Sequence, residues 1–171
     1  MFERKDLNEY NWELFFEEFQ EETPRSAVII SGAFLDALLR DLLATFMIDS
    51  KKDVDELLGS EKDAEKPLGS FGARIKAAYC LGLINETEYH DLKIIQKVRN
   101  KFAHKMHGFS FEDFAIVNLC NSLKISLPVN HEQTNNEQLH REKYIQSIAL
   151  LVNFLGARIL SIQKDKRSIL R

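Results

Sequence analysis

A chain of 171 residues, 44% hydrophobic and 29% charged with only seven Gly and three Pro, has the make-up of a single helix-rich domain that buries its core without staples. This excludes disorder beyond the ends and a disulfide or metal scaffold. The start, MFERKDLNEYNWELFF, has no uninterrupted apolar run of the signal-sequence kind, and no later stretch approaches the roughly 18 uncharged apolar residues of a membrane span. The expectation is a cytoplasmic protein without a membrane partner. Cys80 and Cys120 stand among apolar neighbours without CxxC or Cys/His spacing, so they read as free buried thiols, with no metal site and no cofactor.

Taken in chain order, the periodicity is helical almost throughout. Residues 8–21 carry Trp12, Phe15, Phe16 and Phe19 at spacings of three and four, and Pro24 follows, which predicts an amphipathic N-terminal helix within residues 1–24. From Pro24 to about Met47 the apolar residues run nearly all round, the mark of a helix surrounded by others. A short helix is expected over 53–58, closed by Gly59, with SEKDAEKPLG as an exposed loop. Ser70 caps a helix through about Leu81, with Gly82 placed to end it. Asn85 and Glu88 have the spacing of a capping box. The helix they open presents Leu92, Ile95, Val98 and Phe102 to the core until Gly108 breaks it. Ser110 and Asp113 begin another, carrying Phe114, Val117 and Leu119. SLPVNHEQTNNEQ is polar and turn-rich, and a last helix over about 139–164 bears Ile145, Ile148, Leu151, Val152, Leu155 and Ile159.

No segment alternates as a strand would. The predicted fold is all-α: a single-domain bundle of six or seven helices, no sheet, with Val28, Leu35, Leu38, Leu42, Ile95, Val98, Phe102 and Phe114 buried. The divisions expected within 1–171 are the N-terminal helix in 1–24, a core over 25–125, a polar loop over 126–138 and a C-terminal helix with a basic tail over 139–171.

The net charge of −3 conceals an uneven distribution. Between Asp91 and Glu112 no acidic residue occurs, while Lys93, Lys97, Arg99, Lys101, His104, Lys105 and His107 do. Arg158, Lys164, Lys166, Arg167 and Arg171 form a second basic cluster at the end. Such clusters serve polyanions, or form a solvated face or a helix terminus whose dipole favours cations. Lys97, Lys101 and Lys105 are the candidate anion or RNA contacts.

Three stretches, PRSAVIISGAFLDALLRDLL, PLGSFGARIKAAYCLGLI and EYHDLKIIQKVRNKFAH followed by FSFED, together resemble the bacterial mannitol operon repressor family over residues 25–125. The resemblance implies an all-helical cytoplasmic regulator of transcription that works through protein partners, with no direct sequence-specific DNA binding. The sequence agrees in offering no helix-turn-helix pair with an exposed polar recognition helix. A shorter stretch, Arg99-Asn100-Lys101-Phe102-Ala103-His104, is similar to the RNase motif of the HEPN superfamily. That likeness implies a metal-independent endoribonuclease with a composite site at a dimer interface, in which Arg99, Asn100 and His104 would be catalytic.

The chemistry would need a group to take or orient the 2′-hydroxyl proton, His104, and a fixed cation for the charge growing on the phosphate, Arg99. Residues five apart on a helix point about 140° from one another, so the pair does not share a face and a second subunit would have to complete the site. Asp36, on the inward side of the central helix, needs a partner because burying a lone carboxylate costs several kcal/mol. Arg40 is the local candidate, Arg74 and Arg99 the distant ones. The expected function is a transcription regulator of the mannitol repressor type, acting through protein partners and as a homodimer. The alternative is a HEPN-type ribonuclease, with RNA as partner.

Overall fold

A computed structural model of the chain describes residues 22–59, 66–104, 109–126 and 136–162. The expected helix over 8–21, Lys105 and the basic tail after residue 162 lie outside the described residues. Among those described there are six helices and no strand: α1 (Pro24–Phe46), α2 (Lys51–Leu58), α3 (Phe71–Cys80), α4 (Glu86–His104), α5 (Phe114–Asn121) and α6 (Asn136–Ile162). The protein is all-α.

Three of the helices, α1, α3 and α4, begin where a side chain accepts from a free amide of the first turn. Thr23 accepts from the Ser26 amide, with Pro24 at the first helical position, where no intrahelical N–H is needed. Ser70 accepts from the Ala73 amide at 3.2 Å. At α4 the capping box is reciprocal: Asn85 Oδ1 accepts from the Glu88 amide at 2.9 Å, and Glu88 Oε2 from the Asn85 amide at 2.8 Å. Gly59 and Gly82 end α2 and the turn after α3 with φ of 72° and 70°, a region that disfavours any side chain.

The apolar helix α1 is the hub, packed against α2, α3, α4 and α6, while α5 bridges α4 and α6. This is why its apolar residues run all round. Leu35, Leu38, Leu39, Leu42 and Leu43 are at most 1% exposed, each removing an aliphatic side chain from water for about 1.5–3 kcal/mol. From α4 come Leu92, Ile95, Val98 and Phe102, and from α6 Tyr144, Ile148, Leu151, Val152 and Leu155, all buried.

Two expectations are corrected. Phe114 is 81% exposed. It occupies the first position of α5, whose buried stripe runs through Ile116 and Cys120, four residues apart, and on to Leu123; Phe114 points about 200° from Ile116. The aromatic place in the core is taken instead by Phe111, with ring centroids 5.9 Å from Phe102 and 5.6 Å from Tyr144. Cys80 is exposed whereas Cys120 is buried. Burial among apolar groups pushes the Cys120 thiol up to about 12.

By length and composition α6 is also apolar enough to cross a membrane, which the sequence pattern alone had excluded. Its apolar positions are partly used within the bundle, since the face bearing Tyr144, Ile148, Leu151 and Leu155 packs into the core. Arg158 on the same helix is bound to Glu88 of α4.

Candidate functional site

The helix carrying the Arg/His motif is fixed at its start by buried carboxylates. Glu88, 2% exposed, closes the capping box and receives two parallel hydrogen bonds from Arg158, at 2.9 Å to Oε2 and 3.0 Å to Oε1. A planar fork on a carboxylate is the strongest geometry an ion pair has. One turn on, Asp91 is fully buried and accepts from the backbone amides of Lys124 and Ile125, the latter at 2.7 Å, with the His90 ring 2.8 Å away. The chain leaving α5 is thereby tied to α4. Arg158, counted in the terminal basic cluster, is thus engaged inside the fold.

At the middle of α1, Asp36 Oδ1 accepts from Arg74 Nη1 at 2.7 Å. Arg74, 4% exposed, also donates from Nε to the Leu68 carbonyl and from Nη2 to the Leu58 carbonyl, both at 2.9 Å. One guanidinium therefore joins α1, α3 and the two ends of the segment between α2 and α3. Burial lifts the Asp36 carboxyl above its ordinary value of 3.8, and the charge and hydrogen bond of Arg74, with the charge of Arg99, oppose that only in part. Arg40 turns the other way, to Asp55 and the Gly59 carbonyl, and holds the end of α2.

Arg99 is half-buried and lies across α1 at Gly32, where an added Cβ would stand 2.9 Å from its Cγ. The glycine is what lets this side chain pass. Its Nε is buried without a hydrogen-bond partner, and among the described residues the guanidinium makes no ion pair. Nearby is a buried polar pair, Ser31 Oγ and Tyr144 Oη, 3.3 Å apart. Burial raises the Tyr144 hydroxyl above its ordinary value, while Ser31 and Arg99 lower it.

The remaining motif residues face outward. Lys97, Asn100, Lys101 and His104 are exposed, and Lys93 donates to Gln96 at 2.8 Å. At 100° per residue, Lys93, Lys97, Asn100, Lys101 and His104 fall within an arc of about 100° and along roughly 16 Å of helix. The structure brings Asp36 and Arg74 together. It does not bring Arg99 into contact with His104, nor Asp36 with Arg40. Sequence reasoning missed the Glu88–Arg158 fork, the buried Asp91, and Tyr144 against Ser31. The first two carried a signal, an acidic residue on the same side of α4 as Leu92, Ile95 and Phe102. Among the described residues no group of three His, Cys, Asp or Glu side chains could hold a metal ion.

The family model described as "Mannitol repressor" matches residues 14–166. The chain belongs to the mannitol repressor family. Two curated members, the mannitol operon repressors of Escherichia coli strain K12 and strain O6:H1, are each 34% identical to it over 55 residues, 32% of this chain. That match takes in 28% of each relative's own length. Among solved structures, a chain of the X-ray structure of the MtlR–HPr complex from Escherichia coli aligns with a TM-score of 0.52 at 23% identity, covering 84% of this chain and 92% of that one. Across so low an identity the likeness is one of fold alone.

Proposed function

We propose that the chain is a cytoplasmic regulator of transcription of the mannitol operon repressor type, which acts by binding a protein partner of the HPr kind and does not itself read DNA. The observation that carries this reading is the family match across residues 14–166, supported by a fold neighbour whose crystals contain HPr. A homodimer is part of the same reading, because Phe154 and Leu160 of α6 are 41% and 40% exposed and give a second copy an apolar surface. Deleting the gene in its host, with a transcriptional reporter on the mannitol operon, tests the function: expression should rise without mannitol and return when the gene is restored. Unchanged reporter expression in the deletion strain would reject it.

A second reading, a metal-independent endoribonuclease using Arg99, Asn100 and His104, has one observation in its favour. Among the described residues Arg99 pairs with no carboxylate, which would leave its charge to a phosphate, and His104 is exposed within the same turn and a half. Their divergence on α4 means that a second subunit must bring a His104 to an Arg99. Cleavage of single-stranded RNA in EDTA, abolished by Arg99→Ala and by His104→Ala, is the result that would favour it.

A further inference from the structure

We infer that the exposed face of α4, formed by Lys93, Lys97, Asn100, Lys101 and His104, is a surface for the phosphate backbone of single-stranded nucleic acid, independent of the partner reading above and of any cleavage. The first ground is the arrangement of charge. No acidic residue occurs between Asp91 and Glu112, and Lys97, Lys101 and His104 are exposed and engaged by no carboxylate among the described residues. Arg74 and Arg158, by contrast, each sit on a carboxylate. The helix dipole accounts for cations in the last turn only; Lys93 and Lys97 lie about three and two turns, respectively, before the end of α4. Residues four apart rise by about 6 Å along the axis, so successive lysines follow the phosphates of an extended strand.

The second ground is what the face lacks. A protein partner needs apolar or aromatic anchors at the centre of its interface, and the exposed large hydrophobic side chains of the described chain, Ile30, Leu57, Leu81, Phe114, Phe154 and Leu160, all lie off α4. A phosphate backbone needs cations and hydrogen-bond donors and no such anchor. One turn before Lys93, Tyr89 stacks on Tyr79 at 4.3 Å, with Lys76 Nζ over both rings. The helix packs against α1, α3 and α5 and so lies flat in the surface, which suits a single strand rather than insertion into a duplex groove.

The test is fluorescence anisotropy of the whole chain with a labelled 2′-O-methyl oligouridylate, which cannot be cleaved through its 2′-oxygen. Binding should weaken with salt at a logarithmic slope on the order of −2 for three lysines. The double variant Lys97→Glu with Lys101→Glu should lose at least about ten-fold in affinity while keeping the helical circular dichroism of wild type. Lys51→Glu with Lys52→Glu, the same charge change on exposed positions of α2, should stay within about two-fold, and polyglutamate should not compete. Equal loss in the two double variants, tighter competition by polyglutamate than by unlabelled oligouridylate, or no binding at low salt would each overturn the assignment.

Discussion

Arg74 and Arg99 both bear on Asp36, yet their hydrogen bonding differs. Arg74 is buried and each of its three guanidinium nitrogens donates a hydrogen bond, to Leu68, Asp36 and Leu58. Arg99 rests its stem on Gly32 and leaves its Nε without a partner. A guanidinium bonded through all three of its nitrogens fixes the chain around it. One with a buried nitrogen left unsatisfied carries a cost in stability. The same division runs along α4, where the first two turns are tied down through Glu88 and Asp91 and the last three carry Lys97 and Lys101, which pair with no carboxylate among the described residues.

Breaking the saturated side should have the largest effect. Arg74→Ala removes three hydrogen bonds and abandons a half-buried carboxylate, so chemical denaturation should show a loss of about 3–5 kcal/mol. Arg158→Ala leaves Glu88 buried with only the Asn85 amide, and the same measurement should give a loss of about 2–3 kcal/mol. Arg158→Lys should recover part of it, since an ammonium cannot reproduce the two parallel bonds.

Smaller effects sharpen the contrast from the Arg99 side. Gly32→Ala places a methyl group against the Arg99 stem, and a net loss of about 1 kcal/mol is expected in wild type. With Arg99→Ala already present the sign should reverse, to a gain approaching 1 kcal/mol, because alanine is the better helix former and nothing then opposes it. An unchanged sign would mean that Arg99 does not rest on Gly32. Lys97→Ala and Lys101→Ala, on the unpaired face, should each move stability by less than about 0.5 kcal/mol.

Asp36 adds a pH dependence of unusual sign. Its folded-state pKa is raised above 3.8, so the native state holds a proton that the unfolded chain has released. This contribution is fully present below 3.8 and is lost as pH rises through the raised value. Comparing melting curves of wild type and Asp36→Asn across that acidic window should show wild type losing stability relative to the variant as pH rises. The opposite slope would mean that Arg74 outweighs burial.

Much of the fold was legible because local chemistry and tertiary packing agree. The capping box at Asn85, Ser70 as a cap, the glycines after α2 and α3 and the stripes of α1 and α4 each state one conformation. Phe114 shows the limit: hydrophobicity says that a residue favours burial, but a short helix buries only the arc its neighbours cover, and Phe111 had already filled the aromatic position. The need of Asp36 for a cation follows from its place on α1, whereas the choice among Arg40, Arg74 and Arg99 depends on where α3 and α4 lie. Nothing within either segment specifies that Arg158 should meet Glu88, seventy residues earlier. The Arg99-to-His104 spacing is equally silent about Gly32, which directs Arg99 away from His104.

Isothermal titration calorimetry of the chain with HPr from the same organism tests the proposed mechanism most directly. Saturable one-to-one binding, together with no retention of mannitol-operon promoter DNA at the same protein concentration, is the predicted result. No heat of binding to HPr, with specific retention of the promoter fragment, would contradict it.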